Sequence, residues 1–232
     1  MGFEIKTKGE LYDAVIVGSG AGGGMAAKIL AEAGLKIALL EAGPDYDPAN
    51  PEQQSQLKWP WQSPRRGAAT ESRGGGDFDA AYGNWHIDGE PYLRNPGTEF
   101  DWFRSRMIGG RTNHWGRISL RFGPHDFKRK SIDGLGDDWP ISYEDIKPFY
   151  DKVDKMIGVY GTNLNMENEP DGYFLPPPKP RLHELFLKDA GKKINIPVVP
   201  ARKSILTRPV NNERGACFFC NQCNRGCTVY GD

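Results

Sequence analysis

Between Leu11 and Ala42 the chain reads LYDAVIVGSGAGGGMAAKILAEAGLKIALLEA, and no other stretch constrains the fold as much. Ala14 to Val17 is a short apolar run of the kind found in buried parallel strands. Met25 to Ala33 is rich in Ala, Leu and Ile, which suit a helix. Gly34 stands where a helix C-terminal glycine belongs. Lys36 to Leu40 is a second apolar run. The order predicts a βαβ unit with a glycine-rich turn between its first strand and its helix. That turn, Gly18-Ser19-Gly20-Ala21-Gly22-Gly23, fits G-x-G-x-x-G. Gly18 permits the tight turn, Gly20 lets a pyrophosphate approach the backbone, and Gly23 lets the helix pack close to the strand. The helix N-terminus offers N–H groups and a positive dipole end to phosphate. Glu41 ends the second strand, where a carboxylate can take a ribose hydroxyl pair. The stretch therefore predicts a dinucleotide site of Gly18, Ser19, Gly20, Gly23 and Glu41. The fingerprint alone does not choose a flavin over a nicotinamide dinucleotide.

The segment from Val15 to Pro44 resembles the opening of the glucose–methanol–choline family of FAD-dependent oxidoreductases. Met107-Ile108-Gly109-Gly110-Arg111-Thr112-Asn113-His114-Trp115-Gly116 resembles a second motif of that family. Asp138 to Tyr150 (DWPISYEDIKPFY) is similar to the branch with bacterial flavin-dependent gluconate, sorbose and glucose dehydrogenases and pyranose 2-oxidase. The resemblance implies an α/β fold: a Rossmann-like FAD-binding domain of the three-layer β/β/α type, with irregular insertions and part of a substrate domain. It implies that Gly109, Gly110, Thr112, Asn113, His114 and Trp115 lie against the flavin. Thr112 and Asn113 can hydrogen-bond phosphate or ring heteroatoms. His114 matches a histidine that holds the flavin covalently in pyranose 2-oxidase; a hydrogen-bonding His beside the flavin is the other reading. The activity implied is oxidation of an alcohol group, of a sugar or polyol, by hydride transfer to FAD. The electrons would leave to a quinone, a cytochrome or another acceptor, with a small helper subunit among the expected partners.

In this family the catalytic histidine lies in later sequence. His86, His114, His125 and His183 do not sit in a matching motif, so the expectation is no catalytic residue in this chain. The chain reads as the N-terminal part of a longer enzyme. Residues 1–135 would be the first part of the FAD-binding domain, with a long Pro-rich loop at 43–76. Residues 136–232 would begin the substrate or cap region. Two rivals stand beside this reading: an NAD-dependent dehydrogenase, and a small flavin or iron–sulfur electron carrier without enzymatic activity.

All four cysteines fall between 217 and 227. Cys217-x2-Cys220-x2-Cys223-x3-Cys227 matches the bacterial ferredoxin spacing, except that Thr228 stands where proline is usual. Zinc sites of four cysteines use two knuckles further apart. The spacing leaves an iron–sulfur cluster and a set of plain thiols or a local disulfide both open.

Composition narrows the rest. Lys plus Arg is 30 and Asp plus Glu is 30, a net charge of zero, which argues against nucleic-acid binding through bulk charge. No apolar run approaches the ~20 residues that span a bilayer. The opening MGFEIKTKGE has no signal-peptide core. The expectation is a cytoplasmic protein, or a periplasmic one exported with a signal-bearing partner. Gly and Pro together make about a fifth of the chain, well above average usage, so turns and loops should be abundant. Beyond the βαβ unit the pattern predicts a helix over Ser142–Ile157, a helix near Arg181–Lys193 and a strand near Val198–Leu206. Ser142 should cap the first of these, with Ile146, Phe149, Tyr150, Val153 and Ile157 as its apolar face.

Overall fold

Strand β1 (Ala14–Val17) pairs in parallel with β2 (Ile37–Leu40), Ala14 opposite Ile37 and Val17 opposite Leu40. Helix α1 (Ala21–Glu32) crosses between them. Parallel neighbours need such a crossover, and a helix supplies it. The helix starts earlier than its Ala-rich core suggests, because three glycines, Gly22 to Gly24, lie within its first turn. It ends as expected: Gly34 takes φ +83° and its N–H donates to the Ala31 carbonyl, while the Leu35 N–H reaches the Leu30 carbonyl. This computed structural model describes residues 9–45, 47, 49–50, 95–98, 106–113, 115–210, 212–221, 223 and 226–231. Most of the Pro-rich stretch at 43–76 lies outside the described residues, as do His86 and His114.

The chain divides into two compact units, Met1–Trp115 with Asn224–Gly226, and Gly116–Cys223 with Cys227–Asp232. The first holds β1, α1, β2 and a 3₁₀ turn at Gly110–Asn113. Among the described residues there are two sheets, each of two strands. The α/β character is therefore present, and a three-layer arrangement is not among the described residues.

The second unit is built around α4 (Tyr143–Ile157), preceded by the short helices α2 (Pro124–Phe127) and α3 (Arg129–Asp133). Asp145 accepts both the N–H and the Oγ–H of Ser142 at 2.7 Å, closing the first turn of α4 where the sequence places its start. The helix runs on through Pro148. Near its start Pro148 forfeits a single backbone hydrogen bond. Phe149, expected on the apolar face, is 61% exposed. The buried face instead carries Tyr143 and Asp154. Helix α5 (Leu182–Lys193) forms as expected, with Glu184 accepting the Arg181 N–H at 2.6 Å. The strand expected at Val198–Leu206 shrinks to β4 (Lys203–Ser204), antiparallel to β3 (Val159–Tyr160). Leu206, past the end of β4, bonds to Gly231 and Cys217 instead of to a neighbouring strand. The core of this unit includes Phe127, Tyr143, Val159, Tyr160, Ile205 and Leu206.

Inside that core lies an arginine. The Arg121 side chain, 2% exposed, donates through Nε and Nη2 to Asp154 Oδ2, through Nη2 to Asp151 Oδ1, and through Nη1 to the Tyr143 hydroxyl, at 2.6–3.1 Å. Asp151 and Asp154 sit one turn apart on α4, so a single guanidinium fork reaches both. Gly172 packs against this cluster; a Cβ there would lie 2.6 Å from Arg121 Nη2. No helix among the described residues is long and apolar enough to cross a membrane.

Removing one partner of a buried ion pair strands the other charge, at a cost of about 3–5 kcal/mol, whereas replacing both by apolar groups costs much less. We therefore expect Asp154→Ala to lower unfolding stability by ~3–5 kcal/mol. The double variant Arg121→Met/Asp154→Leu should lose clearly less, and urea unfolding of the three proteins checks both.

Candidate functional site

The site forms where β1 ends. Gly18 takes φ +85° and its N–H donates to the Leu40 carbonyl at 2.7 Å, which locks the turn to the end of β2. Five residues on, α1 comes so close that a Cβ at Gly23 would sit 1.9 Å from the Gly18 carbonyl oxygen. Only glycine fits there. At Gly20 and Gly22 a Cβ would meet nothing within 4 Å, so the approach to the start of the helix is open. The helix has no side-chain cap and no acidic residue in its first turn. Its earliest N–H groups have no partner within the helix, and its own first turn brings no acidic side chain to the positive end. This is a cradle for phosphate oxygens.

Glu41 closes the other side. Its Oε2 accepts the N–H of Ser19 at 2.9 Å and the Oγ–H of Ser19 at 2.6 Å. Its Oε1 accepts the N–H groups of Ala42 and Gly43 at 2.8 and 3.0 Å. The Ser19 hydroxyl, with the Ser19 N–H and the other two amides, holds the Glu41 carboxyl down to about 2, against a desolvation cost. A carboxylate has about four acceptor directions, and all of them are engaged here. A ribose hydroxyl pair would share or displace one of these donors.

The second glycine segment reaches this site in the same unit. The Gly109 N–H donates to Ser19 Oγ at 2.9 Å. The Ile108 N–H donates to the Pro44 carbonyl at 3.0 Å. Gly43 lies so close to this segment that a Cβ would fall 2.1 Å from the Arg106 carbonyl carbon. The segment then winds into its 3₁₀ turn. The Thr112 hydroxyl donates to the Gly109 carbonyl at 2.6 Å, and the Asn113 amide to the Ile108 carbonyl at 2.7 Å. Thr112 and Asn113 thus brace their own turn. Trp115 is half-buried at the end of the segment, and His114 lies outside the described residues.

Of the expected site residues, Gly18, Ser19, Gly20, Gly23, Glu41, Gly109 and Gly110 come together, with Thr112 and Asn113 on the same turn. Sequence reasoning included Ser19 without giving its hydroxyl a task, and it missed Gly43. Gly43 follows directly on the acid that ends β2, which was the available signal.

The cysteines form no such assembly. Cys217, Cys220, Cys223 and Cys227 stand as thiols in the second unit. The Phe219 N–H donates to Cys217 Sγ and the Gly231 N–H to Cys227 Sγ, both at 3.2 Å. Among the described residues, no group of three or more potential ligands converges to hold a metal ion. The ferredoxin-like spacing is therefore not accompanied by a cluster-binding geometry. Left-handed residues at Phe219 and Asn221 turn the backbone between successive cysteines. His125 lies 3.3 Å from Glu167, and His183 is exposed on α5.

Strand, glycine turn, helix, strand and terminal acid, with a second glycine segment seated on the turn, define a dinucleotide-binding unit. No protein-family model matches the chain. It is 32% identical over 161 residues to the fructose dehydrogenase large subunit of Gluconobacter japonicus, which covers 65% of this chain and 28% of that protein. It is 30% identical over 218 residues to the 2-methyl-1,2-propanediol dehydrogenase of Mycolicibacterium austroafricanum, covering 88% of this chain and 35% of that one. It is 27% identical over 235 residues to the paromamine 6'-oxidase of Streptomyces fradiae, covering 97% and 37%. By their names these relatives are two dehydrogenases and an oxidase, and the chain is similar to them over 65% to 97% of its own length. It spans 28% to 37% of the length of these three relatives.

A carboxylate whose pKa is lowered by folding stabilises the fold fully above its unfolded pKa and loses that contribution as pH falls through the folded value. For Glu41 the window runs from the ordinary 4.5 down to about 2. Glu41→Gln should be less stable than the parent at pH 7, and the gap should close as pH falls through that window. Urea unfolding of both proteins across the window checks the sign.

Proposed function

We propose that this chain carries the dinucleotide-binding part of a flavin-dependent oxidoreductase that oxidises an alcohol group. The observation that carries the proposal is the Gly109 N–H on Ser19 Oγ. It joins the phosphate-binding turn to the second motif of the family within one unit. A nicotinamide dinucleotide would require the first motif but not the second. The relatives act, by their names, on fructose, on a propanediol and on paromamine, so a sugar or polyol is the substrate class we infer.

The residues present fit FAD. The open approach at Gly20 and Gly22 and the N-terminus of α1 would hold its pyrophosphate, and Glu41 its ribose. Bound flavin supplies the acceptor for the substrate's hydride. The chain's own residues do the rest. The glycines at 18–23 give the phosphates room. The turn at Gly110–Asn113, braced by Thr112 and Asn113, sets a fixed wall where the flavin would lie. We assign no general base within the chain, since no described histidine stands in this unit. A partner subunit is part of the proposal; the name "large subunit" of the Gluconobacter relative supports it.

The purified protein should carry FAD. Dithionite added without oxygen should bleach its visible absorbance, whereas NAD should not bind. Absence of flavin, together with NAD binding, would overturn the reading. The matching position of His114 further leads us to propose a covalent flavin link there. After acid precipitation the flavin should stay with the pellet in the parent and move to the supernatant in His114→Ala. Flavin wholly in the parent's supernatant would refute the link.

A further inference from the structure

Ser19 is buried, and its hydroxyl has two neighbours that do not touch each other directly. It donates to Glu41 Oε2 at 2.6 Å and accepts from the Gly109 N–H at 2.9 Å. The three residues come from three places in the sequence: the phosphate turn, the end of β2 and the second glycine segment. A hydroxyl that donates to a carboxylate becomes a better acceptor on its other side, because hydrogen bonds in a chain polarise one another. The Glu41 charge thus reaches Gly109 through one oxygen atom. At the other end, Gly109 accepts the Thr112 hydroxyl and so begins the turn that runs to Asn113. The backbone of 106–108 is anchored separately, by Gly43 and Pro44, and the Ser19 contact ties Gly109, where the turn begins, directly to the phosphate-binding loop.

We propose that Ser19 is a positioning residue: through its hydroxyl, the Glu41 carboxylate holds the Gly109–Asn113 turn against the phosphate-binding loop. Glu41 thereby serves two partners, the ribose of a bound dinucleotide and the turn that would face the flavin. Filling the ribose site and ordering the flavin-facing turn are coupled through this one side chain. The proposal rests on the flavin reading above for its consequence, and on the geometry alone for the link itself.

Amide hydrogen exchange in the flavin-free protein tests the link, with every variant made in the His114→Ala background so that the flavin can be removed and added back. Loss of one neutral acceptor should raise Gly109 exchange about tenfold in Ser19→Ala. The Gly18 amide, bonded to Leu40, should keep its protection and so report that the βαβ unit is folded. Ser19→Thr retains the hydroxyl and should restore Gly109 protection. Glu41→Gln, which does not touch Gly109, should raise its exchange by a smaller factor, an effect that a purely local role for Ser19 would not produce. Unchanged Gly109 exchange in Ser19→Ala with Gly18 still protected would overturn the proposal. Should Ser19→Ala fail to fold, Ser19→Thr and Glu41→Gln decide: parent-like exchange in both would overturn it. Titration with FAD then tests the consequence. Ser19→Ala should bind about tenfold more weakly, and Ser19→Thr within about threefold of the parent. Equal affinity for Ser19→Ala and parent would contradict a positioning role. Failure of the parent itself to bind FAD would defeat the flavin reading and leave the exchange result standing.

Discussion

The Gly18 carbonyl oxygen leaves no space for a side chain on Gly23, and the rest of the first unit depends on that close approach. It brings the N-terminus of α1 to the end of β1. The turn between them is thereby short enough for Ser19 to reach the acid at the end of β2. With Ser19 buried between Glu41 and Gly109, the second glycine segment has a fixed seat. Local stereochemistry at two glycines is in this way converted into the spacing of an entire ligand site. The positive helix end faces one side of the site and a firmly ionised carboxylate the other. A molecule with phosphates beside a ribose suits that polarity.

The second unit solves a different problem. Among the described residues its regular structure is sparse: one long helix, three short or lightly packed ones, and two strands of two residues each. A buried arginine bound to two carboxylates and a tyrosine hydroxyl gives this unit a specific interior arrangement. Arg202 repeats the theme nearby, with Nη1 donating to the Pro170 carbonyl at 2.7 Å and Nη2 to the Glu169 carbonyl at 3.0 Å. Charged side chains here organise loops that have no ladder to satisfy their carbonyls. That explains how a chain with about a fifth Gly and Pro can still be ordered through this region.

Much of the first unit was legible in the sequence, since each part carries its own physical signature. Apolar runs marked β1 and β2, the glycine spacing marked the turn, and Gly34 marked the end of α1. The resemblance implied only that the Gly109 segment lies against a flavin; its meeting with Ser19 was not legible, because no local pattern reports a contact across ninety residues. In the second unit, capping at Ser142 and the 3.6-residue period located α4, but the period misplaced Phe149. The buried face includes Asp154, which a hydrophobicity reading counts as solvent-facing. An acid at a core position of an amphipathic helix is a signal that a buried cation must exist elsewhere, here Arg121. The cysteine spacing left two readings open for a different reason. Spacing fixes how far apart thiols lie along the backbone, while convergence depends on side-chain directions that the loop's left-handed residues set.

The central claim is that one dinucleotide bridges both glycine segments. Titrating FAD into isotope-labelled, flavin-free His114→Ala protein and following the backbone amides by NMR tests it directly. The account predicts that amides of 18–24, 41–43 and 107–113 shift together and saturate at one equivalent. Shifts confined to 18–24 and 41–43, with 107–113 unmoved, would contradict it and leave only a nucleotide site without a flavin wall.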